Sequence, residues 1–334
     1  MYEERLDFYK AIEEERQSKL LVYVTGDRPG LETKISTEAL DYFVVHLDAI
    51  GNADRISLLL YTRGGDTLAS WSIANLIRQF CKGFEVIIPS KAHSGGTLIS
   101  LGADRIIMTK QAALSPIDPS VNTPLNPQIP GAPPNAKYPV SVEALNSFIE
   151  FAKGFLGDST ELKDVLLRLV DKVHPLVLGQ AYRTRSQIRM LGNKLIKRQI
   201  TDDNKVKEIL KFLCSESGSH DYTIDRKEAK DLLGLNVEKP SEKFYKIIKD
   251  AYDNIAQELQ LTQPFEFKNI LGDHDAGDYS CPRALIESVI AGSHVFVTEG
   301  QIEKHEARQP GQPIPQTVIR DNRRFDGWKY IPNE

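Results

Sequence analysis

The chain has 334 residues, enough to bury one large α/β core with a smaller appendage. With 41% hydrophobic and 26% charged residues and a formal charge of -4, it has the composition of an ordinary globular protein and no net basic attraction for nucleic acid. Cys81, Cys214 and Cys281 are too few and too widely spaced for a disulfide framework, and the acidic Met1–Asp7 start does not resemble a signal peptide, so a reducing, cytoplasmic setting is expected.

An acidic helical lead is followed by Leu20–Val24, a short apolar run suited to a buried strand, and by the turn-forming Gly26–Gly30. Thr37–Leu47 is predicted as a helix with Thr37 at its N-cap. Ile56–Tyr61 is a second buried strand, ending in Thr62-Arg63-Gly64-Gly65-Asp66. The next helix places Ile73, Leu76, Ile77 and Phe80 on one face at a 3.6-residue period. A third strand, Phe84–Ile88, runs toward Ser94; a helix from about Gly95 and a fourth strand, Arg105–Met108, complete the alternation. Strands alternating with helices imply crossover units and a mostly parallel sheet.

Eight prolines between Pro116 and Pro139 cannot support ladder hydrogen bonds and mark an irregular excursion from the core. From Val142 the chain is predicted to be largely helical, with a break at His174-Pro175. After Thr201 it turns to charged amphipathic helices, including Lys205–Cys214 and Glu242–Leu259. The end, 263–334, is expected to be a partly ordered extension with a Pro-rich linker at Gln309–Pro315. No run approaches the roughly 18 apolar residues of a membrane span, so no membrane partner is expected. Asp273-His274-Asp275 lacks a matching distant histidine or cysteine set, so neither metal nor cofactor is expected.

The chemistry concentrates at Lys91-Ala92-His93-Ser94-Gly95-Gly96-Thr97. A serine after a buried strand, followed by two glycines and an apolar helix, is placed to act as a nucleophile. The glycines let a substrate approach the backbone, and the helix start offers unpaired N–H groups to a developing oxyanion. Gly64-Gly65 ends the preceding strand, so the N–H groups of Gly65 and Gly95 form a candidate oxyanion hole, with Gly64 allowing the turn. A tight structural turn or a phosphate site is the competing reading of so short a motif.

The ordered set Leu58–Gly65, Val86–Pro89, His93–Leu98, Ala103–Met108 and Leu114–Pro119 resembles the serine dehydrogenase proteinase family, distant relatives of the Clp protease proteolytic subunit and of signal peptide peptidase A. The likeness runs over about 15–235, where Ser219–Tyr222 also fits. It implies an α/β, Clp/crotonase-like spiral of ββα units, here with a mainly helical C-terminal region. With the residue patterns above, the chain is divided into a Clp/crotonase-like serine peptidase domain over 1–200, a helical region over 201–262 and the C-terminal extension over 263–334.

The resemblance further implies a serine peptidase that works through an acyl-enzyme. Its set in this sequence is Ser94 as nucleophile, Asp118 as acid and His174 as base, although Asp118 stands where the Clp subunit has its histidine. Lys137 would instead give a Ser-Lys dyad, and His220 is a further candidate base. The partners implied are a peptide or protein substrate and further copies of the chain in a homo-oligomer. A non-proteolytic peptide-binding scaffold and a crotonase-type acyl-thioester enzyme are the alternatives from other classes.

Overall fold

The computed structural model describes residues 1–118, 120–156, 161–216, 219, 221–307 and 316–331. Helix α1 (Tyr2–Arg16) leads into strand β1 (Lys19–Thr25), and α2 (Ala39–Ile50) crosses over to β2 (Ala53–Tyr61). Helix α3 (Thr67–Gln79) carries the chain to β3 (Cys81–Ile88); the short β4 (Lys91–Ala92) and helix α4 (Gly95–Leu101) then lead to β5 (Arg105–Met108). Strands β1, β2, β3 and β5 pair side by side and parallel. Helix α2 starts at Ala39 rather than Thr37, whose carbonyl nevertheless accepts from Leu40 N–H at 3.1 Å.

These strands are unbroken apolar runs because both faces of the sheet are covered. Leu21, Tyr23, Leu58, Leu60, Val86 and Ile88 point to one side, against Phe43 of α2, Ile73 of α3 and Leu98 of α4. Their alternates, Leu20, Val22, Val24, Leu59, Tyr61 and Ile87, point to the other side, against Tyr9 of α1. The period of two along each strand thus feeds two cores.

Strand β6 (Ala113–Leu114) opens the proline-rich excursion, and β7 (Ser120–Val121) pairs antiparallel with β8 (Val140–Ser141) to close it. Asn126, nearly fully buried, holds the loop by donating to the carbonyls of Val121 and Tyr138 at 2.6 and 2.8 Å. Helices α5 (Val142–Leu156), α6 (Glu161–Val170) and α7 (Pro175–Ile196) follow, then α8 (Asp203–Lys211), β9 (Ile224–Asp225), β10 (Val237–Glu238) and α9 (Glu242–Glu258). Helix α9 places Phe244, Ile248 and Ile255 beside α1 on the second core. Among the described residues no helix is long and apolar enough to cross a membrane.

The mixed α/β architecture is the expected one; the C-terminal region is not. After the short helix α10 (Phe267–Leu271) come three long strands, β11 (Ala276–Ser288), β12 (Gly292–Ala307) and β13 (Gln316–Ile331). They extend the parallel strands into one eight-stranded sheet of order β10-β5-β3-β2-β1-β11-β12-β13. The region is therefore largely β, not mainly helical, and β11 lies inside the sheet against β1. Its strand character is masked in the sequence by polar residues that are buried rather than exposed. Glu287 is fully buried and takes Arg5 of α1 in a two-pronged ion pair at 2.5 and 3.1 Å, with the Tyr9 hydroxyl donating to the same carboxylate. The Pro-rich stretch at 309–315 lies outside the described residues.

Candidate active site

Ser94 stands at the turn from β4 into α4 with φ 50° and ψ -105°. The other described non-glycine residues at positive φ, Gln17 and Gln260, lie at helix C-terminal ends, and Gln17 has the relaxed left-handed geometry of φ 47° and ψ 52°. Ser94 adopts no such cap. A strained serine at a strand-to-helix elbow, half-buried and aimed into a cavity, is the arrangement that presents a nucleophile.

Hydrogen bonds hold the elbow in that shape. The Ser94 N–H donates to the buried Ser115 Oγ at 2.9 Å, while Thr97 Oγ1 donates to the Ser115 carbonyl at 2.8 Å. On the other side, Thr62 N–H donates to the Lys91 carbonyl and His93 N–H to the Thr62 carbonyl, both at 3.0 Å. Thr62 Oγ1 also accepts from Gly64 N–H at 2.9 Å. These bonds clamp the Gly64-Gly65 corner against the elbow.

The closeness of the two corners explains the glycines. A Cβ on Gly64, whose φ is +101°, would lie 2.7 Å from Ser94 Cβ and 2.8 Å from the His93 carbonyl. One on Gly65 would run into the backbone of Ile35, and one on Gly95 into Ser70 Oγ. Among the described residues neither the Gly65 nor the Gly95 N–H has a hydrogen-bond acceptor. Two unengaged donors flank the serine.

A cavity of about 510 Å³ opens here, lined among others by Gly64, Gly65, Ser94, Ile117, Asp118 and, from α7, Thr184 and Gln187. Asp118 is carried to it by the strand-end segment that holds Ser115. Ile117 N–H donates to the Leu213 carbonyl at 2.8 Å, and Ser141 Oγ donates to Asp118 Oδ2 at 3.2 Å. Behind it lie Glu143, Arg185 and Arg189. Burial raises the Glu143 carboxyl pKa, the Asp118 charge adds to that, and the two guanidinium groups oppose it. Arg185 Nε lies 3.4 Å from Glu143 Oε1, and its Nη1 donates to Asn146 at 2.7 Å.

The structure thus brings Ser94, Asp118, Gly64, Gly65 and Gly95 together, but not His174. That side chain is exposed at the N-cap of α7, where Nδ1 accepts from Leu176 N–H at 3.2 Å. Thr184, which does line the cavity, is ten residues further along the helix, about 15 Å at 1.5 Å per residue. Lys137 is also away from the cavity and donates to Gln128 Oε1 at 2.9 Å within the proline-rich loop. His220 lies outside the described residues. Sequence reasoning did not single out Thr62, Thr97 or Ser115 individually; their spacing carries no signal until the strands are aligned.

An elbow serine, paired glycine corners and unengaged backbone donors thus lie together at the end of a parallel sheet. Residues 44–132 match the family model of ClpP-like SDH-type serine proteinases, and this is the family the chain resembles. That segment holds both corners, Ser94, Ser115 and Asp118. Two uncharacterized proteins of Methanocaldococcus jannaschii are each 32% identical to this chain, one over 183 residues (55% of this chain, 53% of that protein) and one over 195 (58% and 56%). These matches take in little more than half the length of either relative. Among solved structures, a membrane-bound stomatin-specific protease superposes with TM-score 0.39 at 15% identity, covering 72% of this chain and 86% of that one. ClpP1 from Listeria monocytogenes gives 0.38 at 14% identity, covering 73% and 98%. Both superpositions are loose.

Proposed function

We propose that the chain is a serine peptidase whose Ser94 Oγ attacks a peptide carbonyl to form an acyl-enzyme. The observation that carries this reading is the strained φ/ψ of Ser94 beside two unengaged N–H groups. In this reading the carbonyl oxygen becomes an oxyanion that accepts from Gly65 and Gly95, and removing one such donor typically costs about 10²–10³ in rate. Water then hydrolyses the ester and frees Ser94.

The proton-handling group assigned to Ser94 is Asp118, because it lines the same cavity while His174 and Lys137 do not. As base it takes the hydroxyl proton of Ser94, and as acid it returns the proton to the leaving amine. The triad role for His174 would require it to enter a cavity that α7 lines with Thr184 and Gln187, whereas His174 starts the helix about 15 Å before Thr184.

Labelling with a neutral fluorophosphonate tests the nucleophile. The parent should label and Ser94→Ala should not; equal or absent labelling in both ends the hydrolase reading. Asp118→Asn should lose labelling while His174→Ala and Lys137→Ala keep it. Loss with His174→Ala would restore the triad, and loss with Lys137→Ala would make the dyad the mechanism.

A further inference from the structure

We infer that Lys34 and Arg63 form a carboxylate-binding subsite beside Ser94, so that the substrates of this site are peptides carrying a free carboxylate close to the scissile bond. That such peptides are substrates rests on the Ser94 reading. Their binding stands on the cation pair itself.

Lys34 and Arg63, both exposed, line the Ser94 cavity and also an adjoining cavity of about 370 Å³. They are held there by the backbone rather than by chance. The residue after Lys34 donates to the residue after Arg63, Ile35 N–H to the Gly64 carbonyl at 2.9 Å, and the Ile35 carbonyl accepts from Asp66 N–H at 2.9 Å. The two cations therefore flank one short backbone bridge, next to the glycine whose N–H is offered to the oxyanion.

Among the described residues neither cation has an acidic partner. Among the described residues no ion pair or hydrogen bond joins Lys34 or Arg63 to any carboxylate. The acids nearby are committed elsewhere or stand apart. Asp66 caps α3 by accepting from Ala69 N–H at 2.6 Å, and Glu32 and Asp221 border the adjoining cavity without pairing with either cation. Two like charges at one cavity wall repel each other until an anion lies between them. The rest of the described lining, which includes Asp118, Asn122, Thr184 and Gln187, holds no further cation, so the carboxylate of a bound peptide is drawn toward Lys34 and Arg63. Arginine gives a forked contact to a carboxylate and lysine a point charge, which suits either a chain terminus or an Asp or Glu side chain.

Binding of fluorescein-labelled peptides to Ser94→Ala, followed by anisotropy, reads the subsite without needing turnover. One arm compares C-terminal free acids with their amides, and a second compares Glu with Gln at each position of an amidated peptide. A charge-assisted contact should make at least one arm about tenfold tighter for the carboxylate form. The preference should fade as salt rises and vanish in Ser94→Ala carrying Lys34→Ala and Arg63→Ala. The first arm alone identifies a C-terminal carboxylate, the second an acidic side chain. Equal affinities in both arms, or a preference that survives loss of both cations, overturn the inference. Fluorophosphonate labelling of the parent reports separately on the serine, so the two readings fail by different signs.

Discussion

On the parallel half of the sheet, β1, β2 and β3 bury mostly aliphatic side chains on both faces, and the working groups gather where β2 and β3 run out toward Gly64 and Ser94. On the antiparallel half, β11 and β12 bury Glu287, Ser288, Ser293, His294 and Thr298 within the layers. In the first half the cations Lys34 and Arg63 stand exposed near the strand ends, and one charge, Glu85 of β3, is buried against Arg16 of α1; in the second the buried charge is cancelled internally. Arg5, Tyr9 and Ser293 all converge on Glu287, and Arg5 continues to Glu258 of α9 at 2.6 Å. Polar groups of the same kinds therefore serve as a site in one half and as a fastening in the other.

The sharpest way to break this comparison is to remove the fastening. Glu287→Ala leaves Arg5 fully buried without its main counter-charge, and breaking a buried pair from one side costs about 3–5 kcal/mol. Urea unfolding should show that loss, while fluorophosphonate labelling per folded molecule stays at the parental rate. A variant that unfolds normally but labels slowly would mean that the two halves are not separable.

The reverse experiment acts at the site. Gly64→Ala asks a side chain to occupy φ +101° within 2.8 Å of the His93 carbonyl, which pushes the corner away from Ser94. Misplacement of this kind can lower reactivity about a hundredfold. The stability loss should be smaller than for Glu287→Ala, about 1–3 kcal/mol for one strained residue. If labelling is unchanged, the contact between the corners is not what positions the nucleophile.

The same contrast explains what could be read from the sequence. Apolar runs such as Leu20–Val24 and Ile56–Tyr61 announce strands because nothing in them competes with that reading, and the glycine corners at 64–65 and 95–96 announce close approach. Glu287, His294 and Glu299 within β11 and β12 look like solvent-facing residues until Arg5, His46 and Lys329 are found across the fold. The partners lie hundreds of positions apart in the first two cases, so no local pattern betrays them. The place of His174 was hidden for a related reason. His174 has the right chemistry and chain order, but the length of α7 between it and Thr184 decides its place, and a helix's direction is not encoded in its period.

The gentlest perturbation is pH, acting on the pair that joins α2 to the antiparallel strands. His46 is fully buried, with Nδ1 2.8 Å from Ser288 Oγ and Nε2 3.0 Å from His294 Nδ1, and Tyr42, Tyr330 and Trp328 pack around the pair. Burial, and after it the facing His294, holds the His46 pKa down to about 3, and burial lowers that of His294 as well. A histidine depressed in the folded state stays neutral there while the unfolded chain takes up a proton below about 6.5. The stabilising contribution is thus complete above pH 6.5 and is lost as pH falls toward 3. For His46 alone the loss is about 1.4 kcal/mol per pH unit in that window. Unfolding free energies from urea titrations should approach that slope between pH 6 and pH 5 in the parent and fall more shallowly in His46→Phe, whose ring keeps much of the packing without the titration. An equal slope in both would remove His46 from the fastening.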